Sequence, residues 1–219
     1  MPKPQKRSPN TKQSPPKIKP LKKEFAFSQT NLIWIGVILL LTLIAFYPSF
    51  KDGFTNWDDD MYVTENRQIQ EFTFQNIATH FSQFYMGHYH PFTMISYMVD
   101  HALAGLSPVM FHFSNVFLHL LNTLLVFWLV YLLFKKTEIA FLSSLLFGVS
   151  AVHVESVTWI SERKDVLYAF FFLFSLVAYT KYAKSNNLKY FLLSIFLFLC
   201  SLMSKAQAVT LAVTIIAID

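Results

Sequence analysis

Apolar residues recur in six runs along the chain, at 32–50, 108–134, 139–152, 166–180, 190–203 and 206–218. The first lies in NLIWIGVILLLTLIAFYPSF, 20 residues over 31–50 without a charge, about the number a helix needs to cross ~30 Å of hydrocarbon. Its length and the lack of a small-residue cleavage site exclude a removed signal peptide. The third and fourth runs hold only 14 and 15 residues. Each should extend into its polar flanks, or be tilted and broken near the membrane surface. The pattern predicts an all-α, polytopic transmembrane helical bundle of about six spans.

Polar residues between the runs orient it. Lys135 and Lys136 follow the second run, and Lys181, Lys184 and Lys189 separate the fourth from the fifth. A cytoplasmic N-terminus puts both basic clusters in the cytoplasm, as short basic loops prefer. The segments 51–107, 153–165 and 204–205 are then outside. The first carries seven acids (Asp52, Asp58, Asp59, Asp60, Glu65, Glu71, Asp100) against Lys51 and Arg67, and is too long for a mere connector. Within it TFQNIATHFSQF (73–84) places Phe74, Ile77, Phe81 and Phe84 on one helical face, and TMISYMVDHALAGL (93–106) does likewise, with Gly105 as a stop. These predict two interfacial helices on the outer membrane face.

Composition agrees: 54% of residues are apolar, 17% aromatic and 14% charged, where soluble domains average about 25% charged. The net charge of +5 divides unevenly. Residues 1–23 hold eight Lys/Arg and no acid, leaving −3 on the remainder. Directly before a span, residues 1–30 read as a disordered, proline-rich cytoplasmic tail touching anionic lipid headgroups, rather than as a nucleic-acid binder. The single cysteine, Cys200, excludes an intramolecular disulfide and reads as a packing residue. The last run, AVTLAVTIIAID, ends with neither a basic stop nor a polar tail, which reads as a fragment of a larger membrane protein.

Four constellations carry candidate chemistry. NWDDDMYVTEN (56–66) sets Asp58, Asp59 and Asp60 side by side just after the first span; they read either as a solvated acidic turn or as a group that shares a proton, binds a cation or acts as a general base. VSAVHVESVTWISERKDVLYAF (149–170) brings His153, Glu155, Glu162, Arg163, Lys164 and Asp165 to an outer boundary. An Arg–Lys pair there runs against the positive-inside tendency, so a negative partner such as a lipid-linked phosphate is expected. His112, Asn115, His119 and Asn122 fall within about 80° of arc on one helical face, facing another helix or a water-filled cavity. Lys205, in MSKAQAV, is a lone cation at an outer helix junction, either snorkelling or touching phosphate. No metal-ligand spacing, Gly-rich phosphate loop or Ser-His-Asp pattern stands out.

In order and spacing, NWDDDMYVTEN, HYHPFTMISYMVDHALAGLSPVMFHFSNVFLHLLNTLLVF, AVHVESVTWISERKDVLYAFFFLFSLVAY and LMSKAQAV resemble one family: bacterial multi-pass proteins with a GT-C-type glycosyltransferase membrane domain, often followed by tetratricopeptide repeats. These are similar to the eukaryotic transmembrane and TPR-containing O-mannosyltransferases. The resemblance covers roughly residues 32–219, so that 31–219 would form the N-terminal part of a GT-C-like domain. It implies an enzyme of a bacterial inner (cytoplasmic) membrane, moving a sugar from a polyprenyl-phosphate donor to a protein or glycan hydroxyl on the outer side. It further implies Asp58 and Asp59 as the acidic pair, one the general base and the other an orienting or divalent-cation-binding partner, with Asp60 an extra acid. His153 and Glu155 match an HxE-like stretch, and Arg163 and Lys164 a basic pair that, with Lys205, is expected to bind the donor phosphate. Glu162, Asp165, His112 and His90 are further substrate-site candidates. The chain departs from the pattern where His90 stands before proline in place of arginine, and where Ala206 replaces an acid after Lys205. A membrane transporter or channel following the polar stripe, or an inactive scaffold, is the rival reading.

Overall fold

The computed structural model describes residues 29–218, so the basic tail expected over 1–30 falls almost wholly outside the described residues. Every regular element among them is helical. Helix α1 (Gln29–Phe46) runs into a 3-10 turn (Tyr47–Lys51), and the long loop that follows carries α2 (Arg67–Gln70), α3 (Phe74–Ser82) and α4 (Pro91–Ala104). Then come α5 (Pro108–Phe134), α6 (Thr137–Val149), the short α7 (Val154–Thr158), α8 (Arg163–Ser185), α9 (Leu188–Leu202) and α10 (Leu211–Ile218). The boundaries follow local chemistry. Gly105, at φ 60°, stops α4 in a conformation that glycine reaches without a Cβ penalty. Pro108 opens α5, at a position where its missing N–H would have had no helical partner. Asn186, at φ 51°, turns α8 into α9.

Three stretches are long and apolar enough to cross a membrane: Asn31–Lys51, Pro108–Phe134 and Ile160–Ser185. The 27 residues of α5 rise roughly 40 Å. The fourth apolar run gains its length by starting back at Ile160, through the charged residues 162–165. The third breaks instead: Thr137–Gly148 and Ala151–Thr158 meet at a 45° bend. Ser150 sits there in extended backbone, φ −67° and ψ 130°, and its hydroxyl accepts the Val152 N–H, so the helical ladder is interrupted and locally re-capped. The last two runs lie in shorter helices, Leu188–Leu202 and Ala206–Ile218.

The polar stripe of α5 joins helices. Asn115 donates to Trp159 O at 3.1 Å, His119 Nε2 to Gly148 O at 3.0 Å and Asn122 Nδ2 to Val166 O at 2.8 Å. Each uses a carbonyl of a neighbouring segment, as buried polar groups in an apolar bundle must. Ser175 and Ser194 exchange hydroxyl-to-carbonyl bonds between α8 and α9 at 2.8 and 3.1 Å.

The long loop builds a core of its own. Tyr62, Val63, Ile69, Met94, Tyr97 and Met98 pack with Phe111 of α5 and Ile160 before α8. Helices α3 and α4 form within the stretches that the apolar pattern marked as helical, and α4 packs into this core. Met94, Tyr97 and Met98 of α4 point into that core, while Phe74, the first residue of α3, and Phe84 just beyond it stay exposed. The loop thus caps α5 and α8 instead of trailing from them.

At Gly148 an added Cβ would collide with the side chains of Thr42 and Thr123, while at Gly36 it would meet nothing within 4 Å. Gly148→Val is therefore expected to lower stability by about 1–3 kcal/mol and Gly36→Ala to be neutral or slightly stabilising, as read by thermal unfolding in detergent. Equal behaviour of the two would show that α1, α5 and α6 do not close-pack at Gly148.

Candidate active site at the loop end of the bundle

The three aspartates part company in the fold. Asp59 is 1% exposed. Its Oδ2 accepts from Thr55 N (2.9 Å) and Thr55 Oγ1 (3.1 Å), and its Oδ1 from Ser161 N (2.9 Å) and the Ser161 hydroxyl. Four donors fill the lone pairs of a carboxylate, so Asp59 latches the long loop to the segment before α8 and has no oxygen left to take an acceptor proton. Of the roles expected for the acidic pair, this arrangement suits Asp59 to the orienting one. Asp60 is half-buried and accepts from Thr64 Oγ1 at 3.3 Å. Asp58 is half-buried beside Tyr62. Burial first, then the charge of Asp58, push the Tyr62 hydroxyl up to about 12.

The basic pair separates as well. Arg163 is fully buried. Its Nε donates to Asn115 Oδ1 at 2.8 Å, one terminal nitrogen to Phe111 O at 2.8 Å, and the other pairs with Asp100 at 2.5 Å and reaches Ser96 O at 3.2 Å. The guanidinium lies over the Tyr97 ring, 4.7 Å from its centroid. A donor phosphate cannot reach it, so its expected role is corrected: Arg163 joins α4, α5 and α8. The cue was in the sequence only as Asp100, an acid within an apolar helical pattern.

Lys164 faces the other way, into an open cleft of about 320 Å³ lined by His88, Tyr89, His90, Lys164, Ser204 and Lys205. Three separate segments build it. A tight turn with Met86 and Gly87 at positive φ pairs Tyr85 with His88 through two 2.9 Å backbone bonds and presents His88 and His90. Phe92 N and Thr93 Oγ1 donate to Met203 O and Ser204 O at 3.3 and 3.1 Å, fastening the start of α4 to the α9–α10 junction. The start of α8 supplies Lys164. Glu162 holds both ammonium groups, Lys164 at 3.0 Å and Lys205 at 3.6 Å, and Asp165 pairs with Lys205. Lys164 Nζ lies 5.5 Å from the Tyr62 centroid, and the His90 ring stands 5.5 Å from the same ring. His90 is 4% exposed and neither ring nitrogen has a partner. Burial, then the charges of His88, Lys164 and His80, lower it to about 4. It is a neutral imidazole at physiological pH.

The remaining candidates scatter. Asp165 also accepts from Ser156 Oγ at 3.1 Å and, with His153, lines a second cavity beside α5. Glu155 is exposed on α7, and His112 is buried in α5; neither lines either cavity. Among the described residues no group of three or more His, Cys, Asp or Glu side chains converges as a metal site. With Asp59 saturated by its four donors, the Asp58/Asp59 pair does not fit a divalent cation. Sequence reasoning missed Tyr62, His88, Ser161 and Ser204. Only the His88-x-His90 spacing before a proline was a readable hint, since the others act through contacts far along the chain.

Known proteins are similar to this chain in sequence. Protein O-mannosyl-transferase TMTC1 of Mus musculus is 32% identical over 133 residues, 56% of this chain and 14% of the relative. The human TMTC2 protein is 34% identical over 127 residues, 56% and 15%, and human TMTC3 is 26% identical over 193 residues, 82% and 21%. The chain resembles the protein O-mannosyl-transferases. No protein-family profile and no solved structure matches it. The chain spans between about a seventh and about a fifth of the length of these O-mannosyl-transferases.

Two outcomes are expected. Asp100→Leu or Arg163→Met leaves the other charge buried without its partner and should lower stability by about 3–5 kcal/mol, with Asp100→Leu/Arg163→Met together losing less than the sum; strict additivity in chemical unfolding would sink the coupling. For His90, the folded state disfavours protonation, so the unfolded chain binds more protons below pH 6.5. Stability is full above that value and falls as the pH drops toward about 4. The loss in thermal midpoint between about pH 7 and about 4.5 should shrink in His90→Asn; an unchanged loss would show that His90 does not titrate in this window.

Proposed function

We propose that this part of the chain forms the catalytic end of a membrane glycosyltransferase. It moves a sugar from a polyprenyl-phosphate-linked donor to an acceptor hydroxyl on the outer side of a bacterial cytoplasmic membrane, with the N-terminus inside. One observation carries the reading: Lys164, Lys205, His88 and His90 come from three separate segments to line one cleft. The resemblance to protein O-mannosyl-transferases supports the class of reaction and makes mannose the first sugar to try. A protein or glycan would supply the hydroxyl.

In the proposed step Asp58 takes the proton of the acceptor hydroxyl. The freed oxygen forms the new bond to the anomeric carbon as the bond from that carbon to the phosphate oxygen breaks. The departing lipid phosphate keeps the electron pair. Positive charge already fixed where negative charge develops is the most effective stabilisation available to such a transfer. Lys164 and Lys205, held at the cleft wall by Glu162 and Asp165, provide it. Neutral His90 contributes one N–H donor without adding charge. Asp59 positions Asp58 through the latch to Ser161, and Arg163 keeps α4, α5 and α8 in register beneath the cleft.

The test is transfer of labelled mannose from polyprenyl-phosphate mannose by the full natural protein in detergent. Asp58→Asn is expected to lower turnover by about 10²–10⁴-fold with an unchanged thermal midpoint. Lys164→Ala should weaken donor use and Lys164→Arg restore part of it. Asp59→Asn should lose transfer together with stability. Native turnover in Asp58→Asn would end its assignment as the base, and transfer insensitive to Lys164 would move the phosphate elsewhere.

A further inference from the structure

A second cavity of about 490 Å³ opens between α5, the α6–α7 bend and the start of α8. Its lining includes His119, Asn122, Phe147, His153, Asp165 and Tyr168. It differs from the lysine cleft in its electrostatics: no lysine or arginine faces it, and its one formal charge is the Asp165 carboxylate. Asn122, 1% exposed, donates through Nδ2 to Val166 O but leaves Oδ1 without a partner. A buried acceptor left unpaired costs about 1–3 kcal/mol, and Asn122 is one of the residues that line the cavity. Around this amide stand aromatic faces. The His153 ring lies 4.5 Å from Phe147 and 5.5 Å from His119, and the Tyr168 side chain closes another wall.

Acceptor oxygens set among flat apolar faces suit a neutral ring rich in hydroxyl donors and repel a phosphate. We infer that this cavity is a binding site for a hexose ring, with Asn122 Oδ1 and the Asp165 carboxylate accepting from its hydroxyls and Phe147, His153 and Tyr168 flanking its apolar face. Asp165 is the wall between the two cavities. One of its oxygens is held by Lys205, which lines the lysine cleft, and the other accepts from Ser156, which lines this one. A sugar here would sit beside the cations yet apart from them. The hexose could belong to a glycosyl phosphate or to a glycan acceptor; only its assignment to a donor rests on the function proposed above.

Saturation-transfer NMR of the whole chain in detergent, with methyl α-mannopyranoside as the probe, tests the site without any turnover. The wild type is expected to give signals, Asn122→Leu and His153→Leu to weaken binding by at least about tenfold, and Phe74→Ala, at an exposed residue outside both cavities, to leave it unchanged. His153 is half-buried at the rim, so its variant decides the matter if Asn122→Leu fails to fold. Mannose 1-phosphate separates the sources. Tighter binding than the methyl glycoside, with the gain lost in Lys164→Ala, places a donor's sugar here; equal affinity places a glycan acceptor. No signal from the wild type, or signals that survive both cavity substitutions, would overturn the inference. A protein that fails to transfer mannose yet binds the glycoside through Asn122 and His153 would retain the hexose site and lose only the proposed reaction.

Discussion

The buried guanidinium of Arg163 is the constraint on which the loop end depends. An ion of that size is stable away from water only when its donors are met. Here they are met by Asp100 of α4, Asn115 and the Phe111 carbonyl of α5, and the Ser96 carbonyl of α4. Three helices are therefore held at one point, and the loop core containing Tyr97, Met98 and Phe111 closes over it. Because Arg163 is turned inward, the next residue, Lys164, lies about 100° around the helix and faces the cleft. The basic pair is one structural cation and one available cation, placed by helical geometry.

A second joint sets the other side. Asp59 accepts from Ser161, 102 residues further along the chain. This contact draws the acidic stretch onto the segment that leads into α8 and leaves Asp58 beside Tyr62, whose ring Lys164 and His90 approach. The adjacent aspartates have different environments. One is saturated with donors inside the loop, while the two beside it are only half-buried.

Two cavities of different character result, divided by the Asp165–Lys205 pair. One gathers cations and a neutral histidine; the other gathers an unpaired amide oxygen, a carboxylate and aromatic rings. Few spacings along the chain announce this division, because each cavity takes residues from segments that are far apart in sequence.

Much of the architecture was legible in the residues alone. Runs such as 31–50 and 108–134 must be helices, because an apolar stretch in hydrocarbon can satisfy its backbone only internally. The same reasoning foresaw that the third and fourth runs would break or extend, and the α5 stripe of Asn and His was readable as polar groups needing partners. The helical repeat also placed α3 and α4. What only the tertiary structure decided was which charged groups are buried and which are available. Asp58 and Asp59 are neighbours, as are Arg163 and Lys164, and nothing in their spacing separates a saturated carboxylate from a half-buried one or a buried cation from a cleft cation. That distinction comes from partners such as Ser161 and Asp100, brought close by packing between distant segments, and hydrogen-bond satisfaction is a property of those contacts that no local pattern contains.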